Sequence, residues 1–175
     1  MFKFENLDST TRNFMEKEFE SDVKEQKVYL SNRLTDSGKD RYLELLREAI
    51  KNSDSSSLVS NLQSENLFRD QEEYTKRSGE RGIRRVPVTT PQTLGEGEFN
   101  RYYIRGLCQR AISEDRQDVE IYRAKEVNNP RAESEEMVGT RLNAKKLLED
   151  LRQNIGVDPC LGLPPGPNSG LSVKF

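Results

Sequence analysis

Phe99, Tyr103, Leu107 and Ala111 recur at every fourth position, and Ile104 and Cys108 widen the stripe they make. A strand turns its side chains over with a period of two, so this spacing belongs to a helix. The helix is predicted to open at Thr93-Leu94-Gly95-Glu96, where a Thr followed three residues on by Glu has capping-box spacing. Arg101 and Arg105 are expected to project from the side opposite the stripe. Such a helix must lay its apolar face on other elements, so the rest of the chain has to supply them.

Four further helices are legible. The first begins near Asp8 or Ser9, either of which can cap a run whose stripe is Phe14, Met15, Phe19 and Val23. In the second, Tyr42, Leu45, Leu46, Ala49 and Ile50 fit the helical template, between a start at Ser37-Gly38-Lys39-Asp40 and a stop at Asn52-Ser53-Asp54. A third follows from Asp54 with Leu58, Val59 and Leu62. The last starts at Asn143, uses Leu147, Leu148 and Leu151, and ends before Gly156. Val119-Glu120-Ile121-Tyr122-Arg123-Ala124 alternates and is rich in strand formers, which predicts a strand. Leu171 to Phe175 also alternates and can add a short strand to a sheet edge.

Two stretches break the periodicity. From Ser64 to Gln92 the chain is charged and carries two glycines and two prolines, which predicts a linker or extended arm. From Asp158 to Gly170 Pro and Gly forbid helix, and Pro164 and Pro167 stand at PxxP spacing. The expected fold class is therefore α+β and predominantly α-helical. Residues 1–63 form a helical N-terminal unit, 64–92 the charged linker, 93–156 an α+β unit with a small sheet, and 157–175 an extended C-terminal arm. One composite domain is the alternative to this division.

Composition narrows the function. Hydrophobic residues make up 33% of the chain and charged ones another 33%, and mean hydropathy is −0.89. That is thin material for a self-sufficient core and suits a protein that completes itself against neighbours. The net charge of −2 gives no general support to duplex binding, which draws its affinity from phosphate neutralisation. Of the two cysteines, Cys108 falls in the apolar stripe and reads as a small core residue, and Cys160 lies in the tail. The start has no apolar leader and no run approaches the roughly 18 residues that span a bilayer, so a cytoplasmic protein is expected, with no membrane partner.

The chain contains no histidine. That excludes Ser-His-Asp and Cys-His catalysis and His-ligated zinc. Asp118, Glu120 and Lys125 resemble the Asp plus Glu-x-Lys set of metal-dependent nucleases, but Lys125 is five residues past Glu120 and falls on the opposite strand face. Glu133, Glu135 and Glu136 lack the regular oxygen spacing of a cation loop. Gly162 to Gly170 has no lysine and no helix after it, as a phosphate-cradling loop requires.

A non-enzymatic structural or interaction protein is therefore expected, without catalytic, metal or cofactor residues. Its setting is a multi-copy assembly such as a phage virion, with protein partners that are copies of itself or other subunits. The contact candidates are Arg81, Arg84 and Arg85 in the linker and Leu171, Val173 and Phe175 in the tail. A nucleic-acid accessory protein is the alternative, with Lys76, Arg77, Arg101 and Arg105 as phosphate contacts. A carboxylate enzyme, with or without a metal, is the second.

Overall fold

Helix α4 (Thr90–Ser113) runs through the middle of the molecule, enclosed by α1 (Ser9–Glu25), α3 (Ser55–Ser64) and α6 (Ala144–Gln153). The computed structural model describes residues 1–156 and 169–175, and the chain is α+β and predominantly helical. The predicted stripe of α4 is buried at Phe99, Tyr103, Leu107 and Ala111, and so is the opposite side, at Arg101, Tyr102 and Arg105. At Gly106 the backbone of α1 comes so close that an added Cβ would stand 2.6 Å from Met15 Cγ and 2.8 Å from Met15 N. Only glycine lets the two helices approach to that distance.

The helix starts show which local signals decide. Asp8 accepts from Thr11 N at 2.9 Å. Asp54 accepts from the backbone of Ser56 and Ser57, and Asn143 from Lys146 N at 3.1 Å, all as expected of N-caps. Helix α2 (Asp36–Asn52) begins slightly ahead of the expected Ser37–Asp40 start, because Thr35 is its cap and accepts from Gly38 N. The capping box at Thr93 is corrected: α4 begins at Thr90, with Pro91 in its first turn and no side-chain cap at Thr89. Proline is pre-set for that position. Glu96 is left free to bond Lys125 Nζ at 2.6 Å.

Leu45, Ile50 and Leu58 from the first half and Leu107, Leu147 and Val173 from the second belong to one buried cluster. The stretches 1–63 and 93–156 therefore share a core. Strand β3 (Asp118–Arg123), close to the predicted strand, is the middle of a three-stranded antiparallel sheet ordered β4-β3-β5, with β4 (Arg141–Asn143) and β5 (Leu171–Lys174) at its edges. Asp118 stands opposite Asn143 and Ile121 opposite Val173. Short helix α5 (Ala132–Glu136) and strand β4 were not signalled by periodicity, being too brief to show one. The N-terminal residues also join the fold. Lys3 N donates to the Ala124 carbonyl at 2.7 Å, and Phe4 stacks near Phe2, Phe99 and Tyr103.

Two expectations about irregular segments are overturned. Within 64–92 the chain forms an antiparallel hairpin, β1 (Gln71–Thr75) and β2 (Arg81–Arg85). Its glycines make the hairpin where they were expected to prevent one. Gly79 takes φ +86 in the three-residue loop Arg77-Ser78-Gly79. There Gly79 N bonds the Lys76 carbonyl at 2.9 Å and Lys76 N bonds that of Glu80 at 2.8 Å. Gly82 stands opposite Tyr74, whose ring occupies the space of a side chain at 82. The end of the tail is likewise no free arm, since Leu171 and Val173 are core residues. The Pro164/Pro167 spacing, Cys160 and residues 162–168 of the glycine stretch lie outside the described residues.

Candidate partner-binding surface

Among the described residues the hairpin makes no more than marginal contact with any helix or any other strand. An isolated two-stranded ribbon is at best marginally stable in water, so its own side chains must hold it. The register puts Glu72, Tyr74, Gly82 and Arg84 on one face. There Glu72 accepts from Arg33 Nε at 2.5 Å and from Arg84 Nε at 2.7 Å. The Arg84 guanidinium also lies over the Tyr74 ring at 5.0 Å. These bonds tie the ribbon together and to the body of the protein, and they hold the Glu72 carboxyl below its ordinary range, chiefly through Arg33.

The opposite face carries Gln71, Glu73, Thr75, Arg81, Ile83 and Arg85, every one exposed. Ile83 is 69% exposed between the two arginines. Arg81 has only Glu73, at 3.9 Å, and Arg85 has no ion-pair partner among the described residues. The backbone of this β2 edge is open as well. Val86 N bonds the Asp70 carbonyl, and Lys76 N that of Glu80. The narrow pairs therefore alternate as 72/84 and 74/82, and the N–H and C=O groups of Arg81, Ile83 and Arg85 point outward. At the root of the hairpin an open cleft of about 580 Å³ begins where Gln71 and Arg85 end the open face. Phe68, Val86, Pro87 and Val88 supply its apolar lining, and Val88 is 91% exposed.

Of the linker candidates, then, Arg81 and Arg85 stand together on the open face, and Arg84 is turned away and engaged. Lys76 pairs with Glu80 at 3.2 Å, and Arg77 is exposed in the loop. The tail candidates are corrected. Leu171 and Val173 are buried beside β3, and Phe175 is held with its ring under Arg110 and Arg116 and its N–H on Asn6. No surface is left on Leu171 or Val173 for a neighbour.

Arg101 and Arg105 are also corrected, since both are inside. Arg101 donates to the carbonyls of Leu151 and Asn154. Arg105 is 2% exposed and bonds Glu18 Oε2 at 2.9 Å and both oxygens of Asp22 at 2.5 and 3.0 Å. Tyr102 Oη donates to Asp22, and Gln109 and Arg152 donate to Glu18. Burial works against the charge on Glu18. The bonds from Arg152, Arg105 and Gln109 outweigh it and hold the carboxyl below its ordinary pKa. Two buried carboxylates of α1 thus neutralise an arginine that could otherwise meet a phosphate. Cys108 lies within the core, where burial pushes its thiol pKa above the ordinary value.

Of the carboxylates with an enzymatic reading, Asp118 and Glu120 line one cleft together with Arg116 and Arg141. Asp118 and Arg123 are at opposite ends of β3, and Glu135 of α5 is bound to Arg123 at 2.7 Å. Glu120 lies 3.8 Å from Lys174, and Lys125 is engaged by Glu96. Among the described residues no cluster of three metal-ligating side chains occurs, and no helix is long and apolar enough to cross a membrane. No family model, curated protein or solved structure matches the chain.

Proposed function

We propose that this chain is a non-enzymatic interaction protein, a cytoplasmic or virion subunit of a multi-copy assembly, and that the β1–β2 hairpin is its contact arm. One observation carries the reading. The hairpin carries Arg81, Ile83 and Arg85 on the face opposite Glu72, and none of the described residues covers them. An open strand edge invites pairing with another chain. The tail, with Leu171 and Val173 in the core, is no longer part of the reading.

The test removes the arm and leaves the body. Asp70 and Val86 are hydrogen-bonded at 3.0 Å, so an Asn-Gly turn between them can replace Gln71 to Arg85. Light scattering on a sizing column is expected to show a defined oligomer for the full chain and a monomer of unchanged circular dichroism for the shortened one. Equal masses for both would remove the hairpin from any self-assembly.

A further inference from the structure

We infer that the β2 edge takes an extended acidic segment of a partner protein, which pairs with it as a third strand and sets an apolar side chain in the cleft beyond Arg85. The inference rests on the hairpin being the contact arm and names what that arm binds.

Several features lie along the one stripe. The backbone groups of Arg81, Ile83 and Arg85 are oriented outward, so an incoming strand finds donors and acceptors at two-residue spacing. The same residues present two guanidiniums, Arg81 with only Glu73 at 3.9 Å and Arg85 with no ion-pair partner among the described residues, which complement acidic side chains four positions apart on the incoming strand, either side of the residue that meets Ile83. Ile83 offers an apolar contact between them. Where β2 ends, the cleft lined by Phe68, Val86 and Val88 continues the same line, and Arg85 borders both. Protective edges are usually short, bulged or covered, and often carry lysine. This one is straight in register over five pairs and its arginines flank an exposed isoleucine.

A protein strand fits better than a nucleic acid. Phosphate backbones need a broad basic field, whereas Glu73 stands on the same face and the chain is net negative. An apolar cleft also gives a sugar–phosphate chain little to bind.

The experiment pans a library of random displayed peptides against the full chain. One enriched peptide is then synthesised and its affinity measured by fluorescence anisotropy against four proteins: wild type, R81E/R85E, Ile83→Ala and Ile83→Pro. The enriched sequences are expected to be acidic at two positions four residues apart, with an apolar residue toward one end. R81E/R85E should weaken binding by about tenfold or more, as for lost charge-assisted pairs. Proline at 83 removes only an outward N–H, a place strands tolerate it, so Ile83→Pro should bind more weakly than Ile83→Ala. All four proteins are checked for unchanged melting temperature, and R81E/R85E tests the charge even if the proline disturbs the ribbon. Several outcomes would overturn the inference: no enrichment, enriched peptides without acidic bias, equal binding by R81E/R85E, or a short DNA duplex that binds more tightly than the peptide. If the oligomer depends on the hairpin yet the peptides are not acidic, the contact arm stands and only the acidic strand falls. If an acidic peptide binds but the hairpin leaves the mass unchanged, the assembly reading falls and the docking edge remains.

Discussion

Replacing Arg105 by methionine keeps a side chain of similar length between α1 and α4 and removes the guanidinium. The arginine is 2% exposed and serves Glu18 and Asp22 together. Breaking a buried ion pair from one side costs about 3–5 kcal/mol, because a charge is left without compensation. Here each carboxylate keeps other donors, Arg152 and Gln109 for Glu18 and Tyr102 for Asp22. The cost is therefore set at the lower end, about 3 kcal/mol. With a urea slope of roughly 1–3 kcal/mol per molar, the unfolding midpoint should fall by about 1–3 M at constant slope. The pH dependence carries a sign of its own. In the wild type Glu18 is held below its ordinary 4.5. Its stabilisation is thus present above that value and lost as pH falls through the lower folded value. In Arg105→Met the burial of Glu18 is less opposed, its carboxyl takes up a proton at higher pH, and the gap between the two proteins should narrow as pH drops from neutral. A loss under about 1 kcal/mol, or a gap that does not change with pH, would show that water reaches the cluster and that the burial reasoning is wrong.

Two more outcomes follow from the packing. Gly106→Ala gains some helix propensity, but its Cβ meets Met15 N at 2.8 Å, so a net loss of about 1–2 kcal/mol is expected by thermal or urea unfolding. A chain ended at Gly156 loses β5 and with it the burial of Leu171 and Val173, each worth about 1.5–3 kcal/mol. Differential scanning calorimetry should find it strongly destabilised, whereas a truncated protein as stable as the full chain would return the tail to the status of a free arm.

The helices were legible because their signals are local. Asp8, Asp54 and Asn143 are caps that act within three residues, and Tyr42 to Ile50 states its own period. The alternation at Val119 and Leu171 likewise located β3 and β5. What could not be read depends on partners distant in the chain. Arg101 and Arg105 look like a solvated face until α1 brings Glu18 and Asp22 to Arg105, 87 and 83 residues away in sequence, and the end of α6 brings the Leu151 and Asn154 carbonyls to Arg101, 50 and 53 away. Leu171 and Val173 looked like contacts because an alternating strand does not say which sheet it joins. The hairpin differs, because its signal is local. Its loop, Arg77-Ser78-Gly79 with a left-handed glycine, is a recognised three-residue connection. The pairing of Tyr74 with Gly82 was also in plain order. Glycine is a breaker in a helix but a turn former here, where φ is +86 at Gly79. Within the candidate site, Arg81 and Arg85 were found as charges, and their alliance with Ile83 needed the register.

The scarcity of hydrophobic residues had suggested a core finished by neighbours. The fold shows another way to finish it. Arg105 is the largest of the fully buried side chains, and Glu18, Asp22, Glu96, Glu98 and Arg101 are buried with it. Arginine brings an apolar stem as well as a charge, so these residues fill volume while their head groups bond one another or backbone carbonyls. Such a cluster is no more stabilising than apolar residues of the same size, but it is demanding in register. Asp22 and Glu18 are one turn apart on α1, so both can meet Arg105 only when that helix lies as it does. Low hydrophobic content is then accounted for inside the molecule, and it no longer counts toward assembly. The hairpin has no such internal account. Inside, Arg105 is met on every side, whereas on the β2 edge Arg81, Ile83 and Arg85 face outward over an open backbone. Removing that edge should therefore cost the fold little and the partner contact nearly everything.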